Sequence, residues 1–426
     1  MMSVGFRSLA VRFPSIIRTN EYYRKRYPEV VSALEKQVER FLFDDPNATG
    51  SNSPWDIEMA PYLRDPFRGA VERRRLGPDD APLALAEQAA TDALVAAGML
   101  PEQVDIVISS SMIPAHLHIG DATFLAQRLG VRGAAFNIES TCNGTVVALQ
   151  TACALVRAGE CRNVLVVVNS TYASRATEES DPSFWPMGDG AGAFVVGPVE
   201  SGNGLLGVKS IHTGETCGAL TFVALNNPGE DPSIRVEVAP GAGKMMRDSV
   251  LRALPECCHG AAEAARVKLS DIDFFVFNTP MAWFHSFAAR ALDIDPAKTL
   301  TTFPLYGNIS LALTTANLYH AARASSIREG SLVMLFGLGS SSSVGAAVLR
   351  WGEVALGPAP APSAMGKRIA AAARGFSNQF RVAFGRAKGG GWRHAACGQI
   401  LCLRPRPGDP GLQGSPPRPL VHGLLA

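Results

Sequence analysis

The chain predicts an α/β fold made of two copies of one unit. Short, continuous apolar runs (VDIVIS, NVLVVVN, DFFVFN and SLVMLFG) alternate with amphipathic helical stretches. Strands of that kind belong to a sheet covered by helices on both faces. The order of elements also recurs, and a recurring order implies a duplication. Finally, each copy places a sharp Gly/Asn turn just before its longest helix.

The first copy runs DALVAAGMLPEQVDIVISSS, then FLAQRLGV, then AAFNIESTCNGTVVALQTACALVRAGECRNVLVVVNS. The second runs GAAEAARVKLSDIDFFVFNTP, then SFAARALDI, then TLTTFPLYGNISLALTTANLYHAARASSIREGSLVMLFGLGS. Each reads as helix, acidic turn, strand, helix, short strand, sharp turn, long helix and strand. In the first long helix Val146, Val147, Leu149, Ala152, Cys153, Leu155 and Val156 recur at helical spacing, and Gly159 ends the run. GDGAGA, from Gly188 to Ala193, lacks the Lys-Ser/Thr of a phosphate loop and reads as a tight turn entering a strand. GAGKMMRD lacks the upstream glycine of such a loop and begins a helix.

Composition narrows the setting. Of 426 residues, 47% are hydrophobic and 18% charged, enough for a large core. The eight cysteines show no paired CxxC spacing and no metal-ligand pattern with the eight histidines, so free thiols in a reducing compartment are expected. No apolar run reaches the length of a membrane span, about 18 residues or more. The N-terminus lacks the apolar block of a secretory signal. The expected location is the cytoplasm. The net charge of +2 hides an asymmetry: beyond Ala355 there are ten Lys/Arg against one acid, Asp409. That tail is rich in Pro, Gly and Ala and is expected to be disordered. Nothing in the chain interleaves aromatics with base-reading residues, so no nucleic-acid partner is expected.

Cys142 carries the chemistry. It stands in STCNG, where an apolar approach stops and a helix begins. Unpaired backbone N–H groups and the positive end of the helix dipole favour a thiolate there. Its counterpart in the second copy is the turn Tyr306-Gly307-Asn308, and the strand DFFVFNTP ends at Asn278-Thr279. In α/β folds ligands gather at the carboxyl ends of strands and at helix N-termini. If the copies pack about a pseudo-twofold axis, Cys142, Asn278 and Asn308 converge. A nucleophilic thiol with amide donors for a developing oxyanion suits acyl transfer through a thioester.

From about Val4 to Trp351 the chain resembles a β-ketoacyl-(acyl carrier protein) synthase of type III, in the thiolase-fold superfamily. The likeness is carried by FPSIIRTNEYY, LALAEQAATDALVAAGMLPEQVDIVISSS, STCNG, NVLVVVNSTYASR, FWPMGDGAGAFVVG, LYGNISLAL and SLVMLFGLGSSSSVGAAVLRW. The resemblance implies a five-layered αβαβα fold with two halves, 1–200 and 201–354, followed by the tail at 355–426. It implies that Cys142 accepts the acyl group and that Asn308 is the catalytic asparagine. The backbone N–H groups of Cys142 and of Ser340 or Ser341 would form the oxyanion hole. It implies a homodimer, with coenzyme A or acyl carrier protein thioesters as substrates and no permanently bound cofactor or metal. His116 matches a loop after the first strand, a site of substrate contact, and the basic run Arg73, Arg74, Arg75 matches a segment near the substrate entrance or reads as a solvated surface. The stretch from Val30 to Arg68 is longer than the resemblance calls for and reads as a cap or a dimer contact.

One departure matters. Where the family has a catalytic histidine, this chain has Asn278. An amide donates a hydrogen bond but accepts no proton near neutral pH. His285 lies two helical turns further on, a weaker substitute. Three functions are therefore in view. The first is transfer of an acyl group through acyl-Cys142 to a hydroxyl or amine of a specialised metabolite. The second is decarboxylative Claisen condensation in fatty-acid or polyketide initiation. The third is a non-catalytic partner subunit.

Overall fold

A computed structural model describes residues 2–44, 53–177, 179–225, 233–339 and 343–363, with the side chains of 37–44 set aside. Ser340, Ser341 and the tail from 364 onward lie outside the described residues.

The strands, in chain order, are β1 (Val4–Arg12), β2 (Ile16–Thr19), β3 (Glu72–Arg75), β4 (Ile106–Ser111), β5 (Ala134–Asn137), β6 (Val164–Ser170) and β7 (Gly190–Pro198). Then come β8 (Gly204–His212), β9 (Leu220–Leu225), β10 (Ser233–Val238), β11 (Phe274–Phe277), β12 (Leu332–Gly339), β13 (Ser343–Arg350) and β14 (Ala355–Leu356). The helices begin with α1 (Asn20–Arg26), α2 (Pro28–Asp44), α3 (Pro54–Met59), α4 (Pro82–Ala96), α5 (Ala122–Leu129) and α6 (Gly144–Ala158). They continue with α7 (Tyr172–Arg175), α8 (Ala242–Ala264), α9 (Phe284–Ala291), α10 (Phe303–Tyr306) and α11 (Ala312–Arg323).

Two sheets carry the fold. The first has the order β14-β1-β7-β6-β4-β5 and the second β11-β12-β13-β8. In both, a parallel pair (β4 with β6, β11 with β12) continues into antiparallel neighbours. The repeat read from sequence is thus a repeat of sheet topology. Alternation along each strand sorts the core into layers. In β6, Val164, Val166 and Val168 face one cluster with α6 and α11, while Leu165 and Val167 face another with α4. In β12, Val333 and Leu335 join the α6–α11 cluster, while Met334 and Phe336 face α8 and α9. The result is the expected five-layered αβαβα arrangement, with α6 and α11 buried between the sheets.

α6 follows its sequence signals. Val146, Leu149, Ala152, Cys153 and Val156 are all buried, and Gly159 ends the helix at φ +80° with its N–H on the carbonyls of Leu155 and Val156. Glycine takes that left-handed conformation without steric cost. α8 begins in GAGKMMRD, as read.

Two expectations need correction, and a third segment gains an anchor. The second copy of the short strand is reduced to one bridge, Phe275 with Thr299. Residues 355–363 belong to the body: β14 pairs with β1, Tyr319 donates to the Gly357 carbonyl, and Arg74 reaches the carbonyls of Ala361 and Pro362. Within the 30–68 stretch, α3 is anchored on the second half: Trp55 packs edge-on against Trp283 and Phe287, and Asp56 is buried beside Arg247.

Candidate active site

The two Gly/Asn turns meet where α6 and α11 begin. Cys142 lies in a tight turn, Thr141–Asn143, leading directly into α6, and only 7% of it is exposed. Thr141 takes φ +45°, a conformation a branched residue holds only when its surroundings impose it. The second half does so with three bonds. Ser140 and Asn143 both bond the Ser343 hydroxyl, and Thr145 Oγ1 donates to the Leu311 carbonyl at 2.9 Å.

The opposing turn is held by the first half. Asn308 N donates to the Pro186 carbonyl at 2.8 Å, and Gly188 N donates to the Asn308 carbonyl at 3.0 Å. A Cβ on Gly188 would lie 2.0 Å from the Tyr306 carbonyl oxygen, so only glycine admits this approach. GDGAGA is therefore a backbone clasp on the Asn308 turn. Tyr172, at the start of α7, is buried and donates to Met187 Sδ at 2.7 Å and to the Asn308 carbonyl at 3.4 Å.

Ser310, which the sequence reading missed, connects the predicted residues. Its hydroxyl is 3.1 Å from Cys142 Sγ. Its N–H donates to Asn308 Oδ1 at 2.8 Å, and its carbonyl accepts from Asn278 Nδ2 at 2.7 Å. Ser310 is buried and sits at φ +52°. The only sequence signal was its place two residues after Asn308 in LYGNIS, just ahead of a helix.

Cys142, Asn308 and Asn278 are thus brought together, but with unequal parts. Asn308 is half-buried, and among the described residues its Nδ2 has no partner, so its amide N–H groups remain to donate. Asn278 is fully buried, and its Nδ2 is turned to Ser310 O and, at 3.4 Å, to Thr314 Oγ1. In this arrangement the Asn278 amide supports the Ser310 carbonyl from beneath. Burial also reverses the electrostatic expectation for the thiol. Desolvation pushes Cys142 up to about 11, and the Ser310 hydroxyl and the residue's own N–H pull it back only in part. The resting group at neutral pH is a thiol.

The remaining candidates lie elsewhere. His285 is on α9, its ring beside Ser286 and near Glu58, and burial pushes its pKa down. That is the outer α3–α9 layer, and none of these contacts reaches Cys142. His116 is exposed on the loop after β4, its ring against Phe124 at 3.8 Å. Arg75 is not on a solvated surface or open to substrate. With Arg73 and Arg74 it is buried on β3, and it donates to the carbonyls of Ala173 and Phe184. Carbonyls around a short inner strand take up the guanidinium protons, so Arg75 braces the segment that carries Tyr172. Arg73, enclosed by Tyr23 and Phe67, is lowered to about 10 by burial. The predicted oxyanion N–H of Ser341 lies outside the described residues.

Among the described residues no group of three or more His, Cys, Asp or Glu could hold a metal ion, and no helix is long and apolar enough to cross a membrane.

Comparisons with known proteins identify the family and the fold. A family model described as 3-oxoacyl-[acyl-carrier-protein (ACP)] synthase III matches residues 136–214, and its C-terminal part matches 262–351. The β-ketoacyl-[acyl-carrier-protein] synthase III of Porphyra purpurea is 30% identical over 295 residues, 67% of this chain and 89% of that protein. The protein of the same description from Desulfitobacterium hafniense (strain DSM 10664 / DCB-2) is 28% identical over 320 residues, 72% of this chain and 97% of its own. The crystal structure of the Pseudomonas aeruginosa PAO1 3-oxoacyl-(acyl carrier protein) synthase III shares the fold, with a TM-score of 0.67 and 21% identity over 82% of this chain and 98% of that one. The Thermus thermophilus structure gives 0.66 and 25% over 82% and 99%. The chain belongs to the 3-oxoacyl-(acyl carrier protein) synthase III family of acyltransferases, with the thiolase-like fold.

Proposed function

We propose that the protein takes an acyl group from a coenzyme A or acyl carrier protein thioester onto Cys142 and passes it to an acceptor that is already nucleophilic. A hydroxyl or amine of a specialised metabolite fits that description. The observation that carries this reading is the state of Asn278. An acceptor carbon must be generated by decarboxylation, a step that in the resembled family uses His and Asn together. Here the His position is an amide spent on Ser310. A hydroxyl or amine acceptor needs no such step. Cys142 supplies the nucleophile, and the Asn308 amide, with the Cys142 N–H, stabilises the tetrahedral oxyanion. Decarboxylative condensation is the second reading, favoured by the names of the relatives.

Intact-mass analysis after incubation with labelled acyl-coenzyme A or acyl carrier protein tests the shared step. One acyl group is expected, and none on Cys142→Ala; no adduct on the native protein, or one that survives the substitution, overturns both readings. Asn278→His then separates them. Malonyl decarboxylation gained by that variant favours a lost condensing step, and no change favours transfer.

We further propose a cytoplasmic homodimer. β5 is an edge strand with Phe136 exposed, and Leu117 and Ile119 are exposed on the neighbouring loop. An unpaired apolar edge is a liability that a second copy removes. Sedimentation of the native protein and of Phe136→Asp tests this; a monomeric native protein would refute it.

A further inference from the structure

The mechanism lacks a group that stabilises the Cys142 sulfur once it loses its proton. Asn278 is turned away from it, His285 is in another layer, and burial disfavours the thiolate. The polar side chain given a contact with the sulfur is Ser310.

We propose that the Ser310 hydroxyl is a catalytic residue: it donates its hydrogen to the Cys142 thiolate, and Asn278 and Asn308 hold it there. The inference rests on Cys142 being the acyl acceptor and adds the group that activates it. Three observations support it. The first is position, with Oγ 3.1 Å from Sγ in a buried setting where a hydrogen bond to a charge is strong. The second is a second acceptor. Ser310 Oγ also lies 3.3 Å from Met112 Sδ. In the resting state the Cys142 S–H donates to Ser310 Oγ, and the Ser310 O–H points to Met112 Sδ. When the thiol ionises, the hydroxyl rotor turns to Sγ. A serine does this with no net proton change, since a hydroxyl both donates and accepts. The third is the backbone. Ser310 is held at φ +52° by a bond to each amide, Asn308 Oδ1 on its N–H and Asn278 Nδ2 on its carbonyl. Backbone strain of this kind persists where the surroundings over-determine it, and it gathers at reacting centres.

In the acylation step Cys142 Sγ forms a bond to the thioester carbonyl carbon, and the bond from that carbon to the donor sulfur breaks. The proton lost by Cys142 ends on the departing thiolate. Ser310 starts and finishes as a hydroxyl. Among the described residues, Tyr172 on α7 couples electrostatically to Cys142, and Asp189 and Arg75 act in turn on Tyr172.

The test is the pH profile of Cys142 alkylation by iodoacetamide, which needs no acyl substrate. Ser310→Ala removes the hydroxyl and keeps the backbone strain; Ser310→Gly removes the hydroxyl and relieves it. Both are expected to raise the midpoint by about one pH unit, cutting alkylation at neutral pH about tenfold. A change in access alone alters the rate at every pH and leaves the midpoint in place. An unchanged midpoint in either variant overturns the proposal, because the effect then belongs to strain or packing. If Ser310→Ala does not fold, Ser310→Gly, whose backbone accepts that φ, carries the test alone. A shifted midpoint in a protein that takes no acyl group would refute the acyl-transfer reading and leave the role of Ser310 standing.

Discussion

The turn before α6 and the turn before α11 hold matching places in the two halves, yet they have become opposites in chemistry. The first, Ser140 to Thr145, presents one reactive atom, the Cys142 sulfur, and latches to Ser343 and Leu311 through Ser140, Asn143 and Thr145. The second, Gly307 to Ser310, presents polar groups: the free amide edge of Asn308 and the Ser310 hydroxyl. Each is locked by the other half and each contains a non-glycine residue at positive φ, Thr141 and Ser310. Duplication supplied two equivalent helix starts facing one space. Divergence then made one the nucleophile and the other its support, so neither half is a site alone.

Substitutions on the second turn sharpen that contrast. Asn308→Ala removes the amide donor and is expected to lower kcat by about 10²–10³-fold, the usual cost of one oxyanion donor. It also leaves the buried Ser310 N–H without its acceptor, at a cost of about 1–3 kcal/mol in denaturant unfolding. Asn308→Asp keeps the acceptor for the Ser310 N–H and should not restore the rate. A rate within a few-fold of native in steady-state assays would remove Asn308 from the chemistry. Asn278→Ala should share the stability cost but not the full loss of rate. It leaves the buried Ser310 carbonyl without its donor, at a cost of about 1–3 kcal/mol in denaturant unfolding, with a smaller loss of rate than Asn308→Ala. If the rate falls as far as for Asn308→Ala while stability is unchanged, Asn278 acts on substrate after all.

A further effect lies on the second half alone and is read only in acid. His320 on α11 accepts or donates to the Tyr306 hydroxyl at 3.0 Å, and burial lowers its pKa to about 4 from 6.5. A histidine held neutral in the fold but protonated when unfolded favours unfolding as acid is added. Its contribution is fully present above pH 6.5 and is lost as pH falls toward about 4. The loss amounts to on the order of 3 kcal/mol at most. His320→Gln keeps a polar partner for Tyr306 and should flatten the acid limb of stability measured by thermal melts. An unchanged acid limb would place the sensitivity elsewhere.

Local signals explain what was legible in the sequence. The helix after Cys142 was marked by its apolar spacing and by Gly159, and both depend on neighbours within a few turns. The repeated order of runs revealed the duplication and paired Cys142 with the Asn308 turn. The arginine run misled because charge alone suggests solvent. Arg73, Arg74 and Arg75 are buried because β3 lies among carbonyls from distant segments, Trp185, Pro14 and Ala173, which no local pattern announces.

The sequence by itself determined the α/β class, the duplication, the cysteine at the start of the first long helix and the amide of Asn278 where the resembled family has an imidazole. Periodicity and residue identity are properties of the chain. Only the tertiary structure decided that Asn278 faces Ser310, that Ser310 touches the sulfur, and that the thiol rests protonated. Those outcomes depend on hydrogen bonds between residues 32 and 168 positions apart and on how deeply the sulfur is buried. Hydrogen-bond partners and desolvation exist only once the two halves have closed on each other.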